Sequence, residues 1–380
     1  MKSISDSVQS LGSAVEPRSG LRGLARVHWG LGVAGLLLAL IGLITIHSAS
    51  SEMAGDYTAR QAIWLAVAVL AGFIAFLFDD RFLVRLGPIL YGVSLTLLLL
   101  VLVFGDVAGG ARSWFELGPL RFQPSEFAKL ATVLFLARYL GSLHQEHLNL
   151  RQLLVAGATV AAPMALVVLE RDLGGAAMFV PMALGMVLVA GVRWKVLVAT
   201  ALLALVVGGV AWNFFLLDYQ RQRVLTFLSP SSDPLGSGYQ IRQSKIAVGS
   251  GGLSGRGYMQ GTQSQLRFLP ARHTDFVFAV LAEEWGFTGV LTVLALYTWF
   301  GLSGVAIAQR ARDRSGILLV VGLLSGIGFH VLYNTAMVVG LVPITGIPLP
   351  FLSYGGSFLL ASFVATGIIL GVDFRRHVNR

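Results

Sequence analysis

One aspartate at the border between a long polar segment and an apolar run is the strongest candidate for acid–base chemistry. Asp275 lies in the sequence His273-Thr274-Asp275-Phe276 at the end of the polar segment, directly before the apolar residues 277–281. A carboxylate at such a border is partly desolvated, which raises its proton affinity and suits a general base. A helix N-cap is the alternative role, because Thr and Asp commonly precede helices. Spacing alone leaves both roles open.

Three basic residues lie at or near the starts of predicted helices on the same side. Arg60 opens one helix, Arg121 lies just before the predicted helix 125–141, and Lys129 lies within it. We expect the three cations to face one cavity in the outer leaflet. Such a cluster suits an anionic headgroup, and a pyrophosphate fits it better than a single carboxylate does. Glu126 lies three residues before Lys129 on the same helix face, so an internal ion pair is an equally good interpretation of those two residues.

Further polar residues interrupt the apolar segments that follow. Glu283 and Glu284 lie about two turns after Asp275, where a charge is costly. We expect at least one of them to face a polar interior, as an orienting, relay or neutralised group. His330 and Asn334 are four residues apart and are expected to be packed hydrogen-bonding groups rather than catalysts.

The composition places all of these residues in a membrane protein. Of the 380 residues, 55 % are apolar and 12 % are charged, whereas soluble domains carry roughly 25 % charged residues. The chain has no cysteine, which excludes disulfides, thiolate catalysis and Cys-based metal sites. It also lacks the G-x-x-x-x-G-K-[ST] sequence, which excludes a P-loop ATPase.

The apolar runs predict ten membrane-spanning helices. The stretches without Asp, Glu, Lys or Arg that are long enough to cross a bilayer are 27–51, 61–78, 86–105, 152–169, 173–192, 196–217, 285–309 and 315–372. Pro343, Pro348 and Pro350 break the last stretch into two helices. A further span is expected at 125–141, although charged residues interrupt it. The predicted fold class is an all-α polytopic membrane protein with a single ten-helix domain over residues 27–372.

The positions of Lys and Arg predict the orientation of these helices. With the N-terminus inside, the inner segments hold sixteen Lys and Arg residues and the short outer loops hold four, so both termini are expected in the cytoplasm. Residues 1–26 and 373–380 are then cytoplasmic tails. The first apolar run is expected to be a retained anchor rather than a cleaved signal.

Residues 218–276 are predicted to form one large extracytoplasmic loop. Their local net charge is +4, and we expect the loop to be partly folded and functional. Most of the overall net charge of +9 follows from membrane topology, so nucleic-acid binding is not expected.

Several long motifs closely resemble the signature sequences of the SEDS family (shape, elongation, division and sporulation). They are LRFLPARHTDFVFAVLAEE at 266–284, RFQPSEFAK at 121–129, GIPLPFLSYGGS at 346–357, and QSKIAVGSGG at 243–252 followed by QGTQ at 260–263. Residues 223–228 and 233–236 resemble the rod-shape branch, RodA, more than the division branch, FtsW. Two positions depart from the family pattern: Ala271 stands where the family usually has glutamate, and the sequence around Asp172 reads RDLGG in place of PDLGT.

The resemblance implies ten transmembrane helices in the bacterial plasma (inner) membrane and a processive glycosyltransferase that polymerises lipid II into peptidoglycan. A class B penicillin-binding protein is the implied partner, together with membrane lipids. Asp275 is the implied catalytic residue, beside an outer cavity. The candidate substrate-binding residues are Arg60, Trp114, Arg121, Gln123, Glu126, Lys129, His273 and Thr274.

The expected reaction is a single displacement. Asp275 accepts the proton of the acceptor 4-hydroxyl as that oxygen attacks the donor anomeric carbon, and the three cations stabilise the leaving undecaprenyl pyrophosphate. No metal-ligating residues are assigned, and a divalent cation, Mg²⁺ or Mn²⁺, is left open as an addition. The alternatives are a lipid II flippase, a division paralogue with the same chemistry and a structural scaffold for a partner synthase. The roles of Asp172, Glu283 and Glu284 stay open.

Overall fold

A computed structural model describes residues 27–51, 53, 55–108, 110–118, 120–143, 145–214, 218–229, 233 and 236–378. The predicted tail 1–26 and residues 379–380 lie outside them. The helices are α1 (Gly30–Ser50), α2 (Tyr57–Leu77), α3 (Asp80–Phe104), α4 (Pro124–Gly141), α5 (Leu150–Leu169), α6 (Leu173–Ala177), α7 (Phe179–Gly191), α8 (Trp194–Phe214), α9 (Asp218–Leu228), α10 (Ser237–Ser250), α11 (Thr262–Gln265), α12 (Val277–Arg310), α13 (Arg314–Val338) and α14 (Gly356–Val378).

The structure is that of a polytopic α-helical membrane protein. Within the described residues, eight helical stretches are long and apolar enough to cross a membrane: α1, α2, α3, α5, α6 with α7, α12, α13 and α14. The other two predicted spans coincide with α4 and α8, which have 18 and 21 residues. The membrane architecture is therefore confirmed, while the count of ten and the division into one domain and two tails stay predictions.

The prolines break the last apolar stretch as predicted. Helix α13 ends at Val338 and α14 begins at Gly356, so residues 339–355 form a connector without regular secondary structure. Leu349 and Leu352 of this connector are fully buried. Irregular backbone is tolerated at membrane depth when protein surrounds it. Helix α14 continues through residues 373–378, so the predicted C-terminal tail begins as helix.

Helices α2 and α14 pack closely through small residues in the centre of the bundle. A Cβ atom on Gly367 would lie 1.9 Å from the carbonyl oxygen of Gly72. Such an approach is possible only where both backbones lack side chains. Because 83 % of the residues in the apolar part of α14 are buried, this helix is the most central of the helices that are long and apolar enough to cross a membrane.

A small antiparallel sheet, absent from the sequence prediction, lies between α3 and α4. Its strands are β1 (Asp106–Ala108), β2 (Ala111–Leu117) and β3 (Leu120–Phe122), in that order. Glu116 on β2 is opposite Arg121 on β3, and their side chains form an ion pair at 2.6 Å. Strand β3 leads directly into Gln123, the N-cap of α4. The sheet therefore fixes the approach to α4.

The long loop 218–276 is partly folded, as expected, and α12 anchors it. The carboxylate of Glu283 accepts hydrogen bonds from the backbone N–H groups of Gln263 (2.9 Å) and Ser264 (3.2 Å) at the start of α11. Glu284 accepts a hydrogen bond from the Ser48 hydroxyl on α1. Both glutamates are thus buried groups that hold backbone and side chains in place. The placement of the loop outside the membrane stays a prediction.

Arginines gather at one end of the bundle, which is called the basic end below. Arg81 and Arg85 lie in the first turns of α3, and Arg138 lies in the last turn of α4. The start of α1 and the end of α14 also meet there, because the backbone N–H of His28 donates to Asp373 at 2.8 Å. Helices α2, α4, α12 and α14 start at the opposite end, which also carries Asp275.

Candidate active site

The connector and α13 hold Asp275 in position. The side-chain amide of Asn334 donates to the backbone carbonyl of Asp275 at 2.9 Å. The Ser353 hydroxyl donates to the carbonyl of Thr274 at 2.6 Å. These two bonds attach residues 274 and 275 to elements that lie far away in the sequence. Asn334 is thus the packed hydrogen-bonding group that the sequence predicted.

Asp275 does not cap the helix that follows it. Phe276 is the N-cap residue of α12, and no side chain caps that helix. The carbonyl of Ala271, which has a φ of 49°, accepts hydrogen bonds from the N–H groups of Thr274 and Asp275 in a tight turn. The capping alternative is therefore wrong. The Asp275 carboxylate is not used as a helix cap and is available for other interactions.

The surroundings of the Asp275 carboxylate give it the character of a base. Burial raises the pKa of Asp275 to about 6, while the Thr274 hydroxyl and the Arg223 guanidinium lower it and Asp172 raises it further. The side chain keeps partial exposure. A Cβ atom on Gly346 would lie 3.6 Å from Asp275 Oδ2, so the connector backbone borders the carboxylate. A carboxyl with this pKa is mostly ionised at pH 7 and still able to take a proton.

Asp172 lies within electrostatic reach of this carboxylate and is paired with Gln123. Asp172 is the N-cap of α6 and accepts from the Gly175 N–H at 2.8 Å. Its second oxygen accepts from the Gln123 side chain at 3.3 Å. The structure therefore brings Asp172, whose role the sequence left open, to Gln123 and into electrostatic reach of Asp275.

Arg60 and Arg121 lie at an exposed rim and converge on Tyr354. Burial raises the pKa of the Tyr354 phenol, and both arginines oppose that rise, Arg60 partly through a hydrogen bond. The Ser357 hydroxyl donates to the Arg121 carbonyl at 3.0 Å and accepts from the Gln123 N–H at 3.1 Å. The start of α14 thereby fixes the backbone that carries both predicted substrate-binding residues.

Lys129 does not share that rim. Its ammonium group forms an ion pair with Glu126 at 2.8 Å, and both side chains are less than 8 % exposed. Lys129 Nζ also lies 3.5 Å from His330 Nε2 and 5.8 Å from the centre of the Phe358 ring. The expectation that three cations face one cavity is not met for Lys129, because its charge is neutralised inside the protein.

The remaining predicted site residues are placed differently. His273 packs against Tyr57 and Tyr354, with ring centres 4.9 and 5.6 Å apart; burial and the Arg272 charge lower the pKa of its imidazole, which keeps it neutral at pH 7. Trp114 lies on β2 opposite Asp106. Its side chain is half-buried.

Sequence reasoning missed several residues around Asp275. Tyr57, Arg223 and Ser353 reach the site from α2, α9 and the connector. Ser353 and Tyr354 belong to the GIPLPFLSYGGS motif, which was the available signal. Among the residues that the structure describes, no group of three or more His, Asp and Glu side chains could hold a metal ion.

Comparisons with known proteins agree with this architecture. The profile of the FtsW/RodA/SpoVE cell cycle proteins matches residues 30–378. The peptidoglycan glycosyltransferase MrdB of Escherichia coli (strain K12) is 39 % identical over 343 residues, which cover 90 % of this chain and 92 % of that protein.

Two solved structures resemble most of the chain. A chain from work on structural coordination of polymerization and crosslinking by a peptidoglycan synthase complex has a TM-score of 0.81 and 36 % identity, covering 92 % of this chain and 98 % of that chain. The rod shape determining protein RodA of Thermus thermophilus has a TM-score of 0.68 and 32 % identity, covering 92 % and 97 %.

Proposed function

The chain belongs to the FtsW/RodA/SpoVE family of cell cycle proteins, and we propose that this peptidoglycan glycosyltransferase uses Asp275 as its general base to polymerise lipid II. The observation that carries the proposal is the placement of one raised-pKa carboxylate beside the connector. Two exposed arginines, Arg60 and Arg121, converge on Tyr354, whose ring packs against His273 of the same turn. Its role in cell elongation and rod shape, rather than in division, is part of the proposal.

The reaction transfers one proton and exchanges one bond. Asp275 takes the proton of the acceptor 4-hydroxyl while that oxygen bonds to the donor anomeric carbon, and the bond from that carbon to the pyrophosphate breaks. A single displacement inverts the anomeric centre. Fixed cations facing the leaving group stabilise the charge that develops there. Arg60 and Arg121 are the residues suited to this contact, because their side chains are exposed, whereas Lys129 is buried with Glu126. The Arg121 side chain stays 60 % exposed in its ion pair with Glu116.

A divalent cation fits this site only with ligands from two carboxylates and the substrate. Asp172 and Asp275 are two carboxylates within electrostatic reach of one another. Mg²⁺ is commonly held by one or two carboxylates together with substrate phosphates. When bound, such an ion would supply positive charge to the pyrophosphate. The proton transfer to Asp275 does not require it.

The orientation and the partner complete the proposal. The basic end faces the cytoplasm under the positive-inside rule, which places both termini in the cytoplasm and Asp275 at the outer surface. A class B penicillin-binding protein would act on the strands that the enzyme releases. In support, a similar chain comes from work on a peptidoglycan synthase complex that coordinates polymerization and crosslinking.

Purified enzyme, supplied with lipid II and its partner transpeptidase, provides the test. Loss of a general base lowers turnover about 10²- to 10⁴-fold, so Asp275→Asn is expected to lose polymerisation at that scale. Asp106→Asn is the matched control, because this exposed residue lies at the same end on β1. Near-parental polymerisation by Asp275→Asn refutes the assignment. A parent that moves lipid II between leaflets without making polymer would instead support the flippase.

A further inference from the structure

A cavity lies at the basic end, on the far side of the bundle from Asp275. It has a volume of about 240 Å³ and lies between the first turns of α3 and α13 and the last turn of α4. Its polar lining consists of Asp80, Arg81, Arg85, Arg138, Asp313 and Ser315. The proposed glycosyl transfer uses none of these residues.

The arginines of this cavity differ in the hydrogen bonds and ion pairs that they form within the protein. Arg81 Nε lies 3.1 Å from Asp313 Oδ2, and Asp313 also accepts from the Gly316 N–H at 2.8 Å. Arg138 Nη1 donates to the Arg85 carbonyl at 2.6 Å, which holds the Arg138 guanidinium at the cavity wall. The Arg85 guanidinium has no hydrogen bond or ion pair in the part of the chain that the structure describes.

The guanidinium groups of Arg85 and Arg138 are therefore available to an anion, and the surrounding charge favours anion binding. Arg312, Arg375 and Arg376 line an adjoining cleft that shares Asp80 and Asp313 with the cavity. Six arginines thus surround two carboxylates, one of which is paired. The basic residues outnumber the acidic ones in this lining; a net positive charge attracts anions, and guanidinium groups match the oxygens of phosphate in bidentate geometry.

The size of the cavity limits what enters it. A water molecule occupies about 30 Å³ in the liquid, so the cavity has room for about eight waters. A phosphate group with part of its hydration fits this space. A complete lipid does not, so any lipid must place its chains outside the cavity.

An apolar surface for such chains lies directly beside the cavity. Phe82, Ile89 and Val93 of α3 are 48 %, 63 % and 52 % exposed. Their spacing of seven and four residues puts them on one face of the helix, and Arg85 lies one turn before Ile89. Helix ends of a spanning bundle lie at the level of lipid headgroups. The cationic cavity therefore meets a lipid-facing surface at headgroup depth.

We propose that this cavity binds the phosphate of an anionic phospholipid through Arg85 and Arg138, with the acyl chains along the exposed face of α3. Basic pockets between membrane helices are suited to such headgroups. The neighbouring apolar face distinguishes a lipid from free phosphate, which would gain nothing from it. This site is independent of the glycosyltransferase proposal.

The test measures binding of phosphatidylglycerol, with phosphatidylcholine as the neutral comparison, to the full-length protein by native mass spectrometry. The pocket variant is Arg85→Gln with Arg138→Gln. Its matched control is Arg151→Gln with Arg193→Gln, which removes two exposed charges at the same end but outside the cavity. Thermal unfolding of each variant reports on folding. Arg85→Gln alone serves if the double variant does not fold, because this side chain has no internal partner to lose.

The parent is expected to prefer phosphatidylglycerol, and the pocket variant to bind it about tenfold more weakly, with the control within about twofold of the parent. Arg85→Gln alone is expected to lose about fivefold. Equal losses in the pocket and control variants would show diffuse surface attraction and overturn the proposal. Complete displacement of the lipid by inorganic phosphate would assign the cavity to the free ion, and the absence of any lipid preference in the parent would also contradict it.

Discussion

The acid side of the pH–rate profile gives the sharpest test of Asp275 as a base. A base must be ionised to accept a proton, and burial raises the pKa of Asp275 from 3.8 to about 6. The value of kcat/KM is therefore expected to be nearly constant above pH 7 and to fall about tenfold per pH unit below 6. An acidic limb near pH 4 would mean that the base is an ordinary exposed carboxylate or another group.

The substitution Asp172→Asn moves this limb in a direction that the structure specifies. The Asp172 charge raises the pKa of Asp275, so its removal lowers that pKa and shifts the limb to lower pH. Asn is as good an N-cap as Asp, so the bond to the Gly175 N–H can be kept. Burial, not Asp172, is the main cause of the raised pKa, so the acidic limb is expected to move by less than about one pH unit.

Polymer formation from lipid II, followed at limiting substrate between pH 4.5 and 8, provides the assay. Asp106→Asn is the control, because Asp106 is not among the groups that perturb the pKa of Asp275. The control limb is expected at the parental pH. A limb that stays in place or moves to higher pH in Asp172→Asn contradicts the electrostatic coupling of the two carboxylates.

Three further predictions concern stability, each measured by thermal unfolding of the purified protein. Burial and Asp172 raise the pKa of Glu170 to about 8. The free energy of unfolding should therefore fall by about 1.4 kcal/mol per pH unit as the pH rises from 4.5 to 8. Glu170→Gln should remove that decline, and an unchanged slope in this variant would refute the assignment to Glu170. Lys129→Met, which leaves Glu126 unpaired, should cost about 3–5 kcal/mol, with most of it recovered when Glu126→Leu is added; equal losses in both variants would contradict the ion pair. Gly367→Ala should destabilise the α2–α14 contact, whereas Gly92→Ala, which has no neighbouring atoms within 4 Å, should be neutral or stabilising by up to about 1 kcal/mol.

Local signals in the sequence were enough to predict the membrane helices and the position of Asp275. Long uncharged runs and prolines can be recognised from adjacent residues in the sequence, and the break between α13 and α14 occurs where the prolines predict it. The i,i+3 spacing of Glu126 and Lys129 likewise predicted their ion pair as one of two interpretations. The exclusion of Lys129 from the rim needed the packing of α4 against Phe358 and His330.

The small sheet and the surroundings of Asp275 depend on contacts that local patterns do not contain. Strands β1 and β3 have three residues each, too short for an alternation of apolar and polar residues to be recognised. Arg223 and Tyr57 reach the site from segments about 50 and 220 residues away in the sequence. Such pairs are set by tertiary packing, and their residue types alone carry no signal of it.

The polar side chains inside the bundle have a common explanation in the connector 339–355. Buried backbone carbonyls require hydrogen-bond donors, and irregular backbone cannot supply its own. The carbonyls of Pro343, Ile347, Pro348, Pro350 and Ser353 are paired respectively with Tyr333, Asn334, His330, Tyr297 and Gln61. Glu283 accepts hydrogen bonds from the backbone of the long loop, and Glu284 accepts one from Ser48 on α1. These intramembrane polar groups are therefore accounted for without transport chemistry. The reactive carboxylate that remains beside the connector is Asp275, which favours an enzyme with a base at its surface over a flippase with titrating groups along a path.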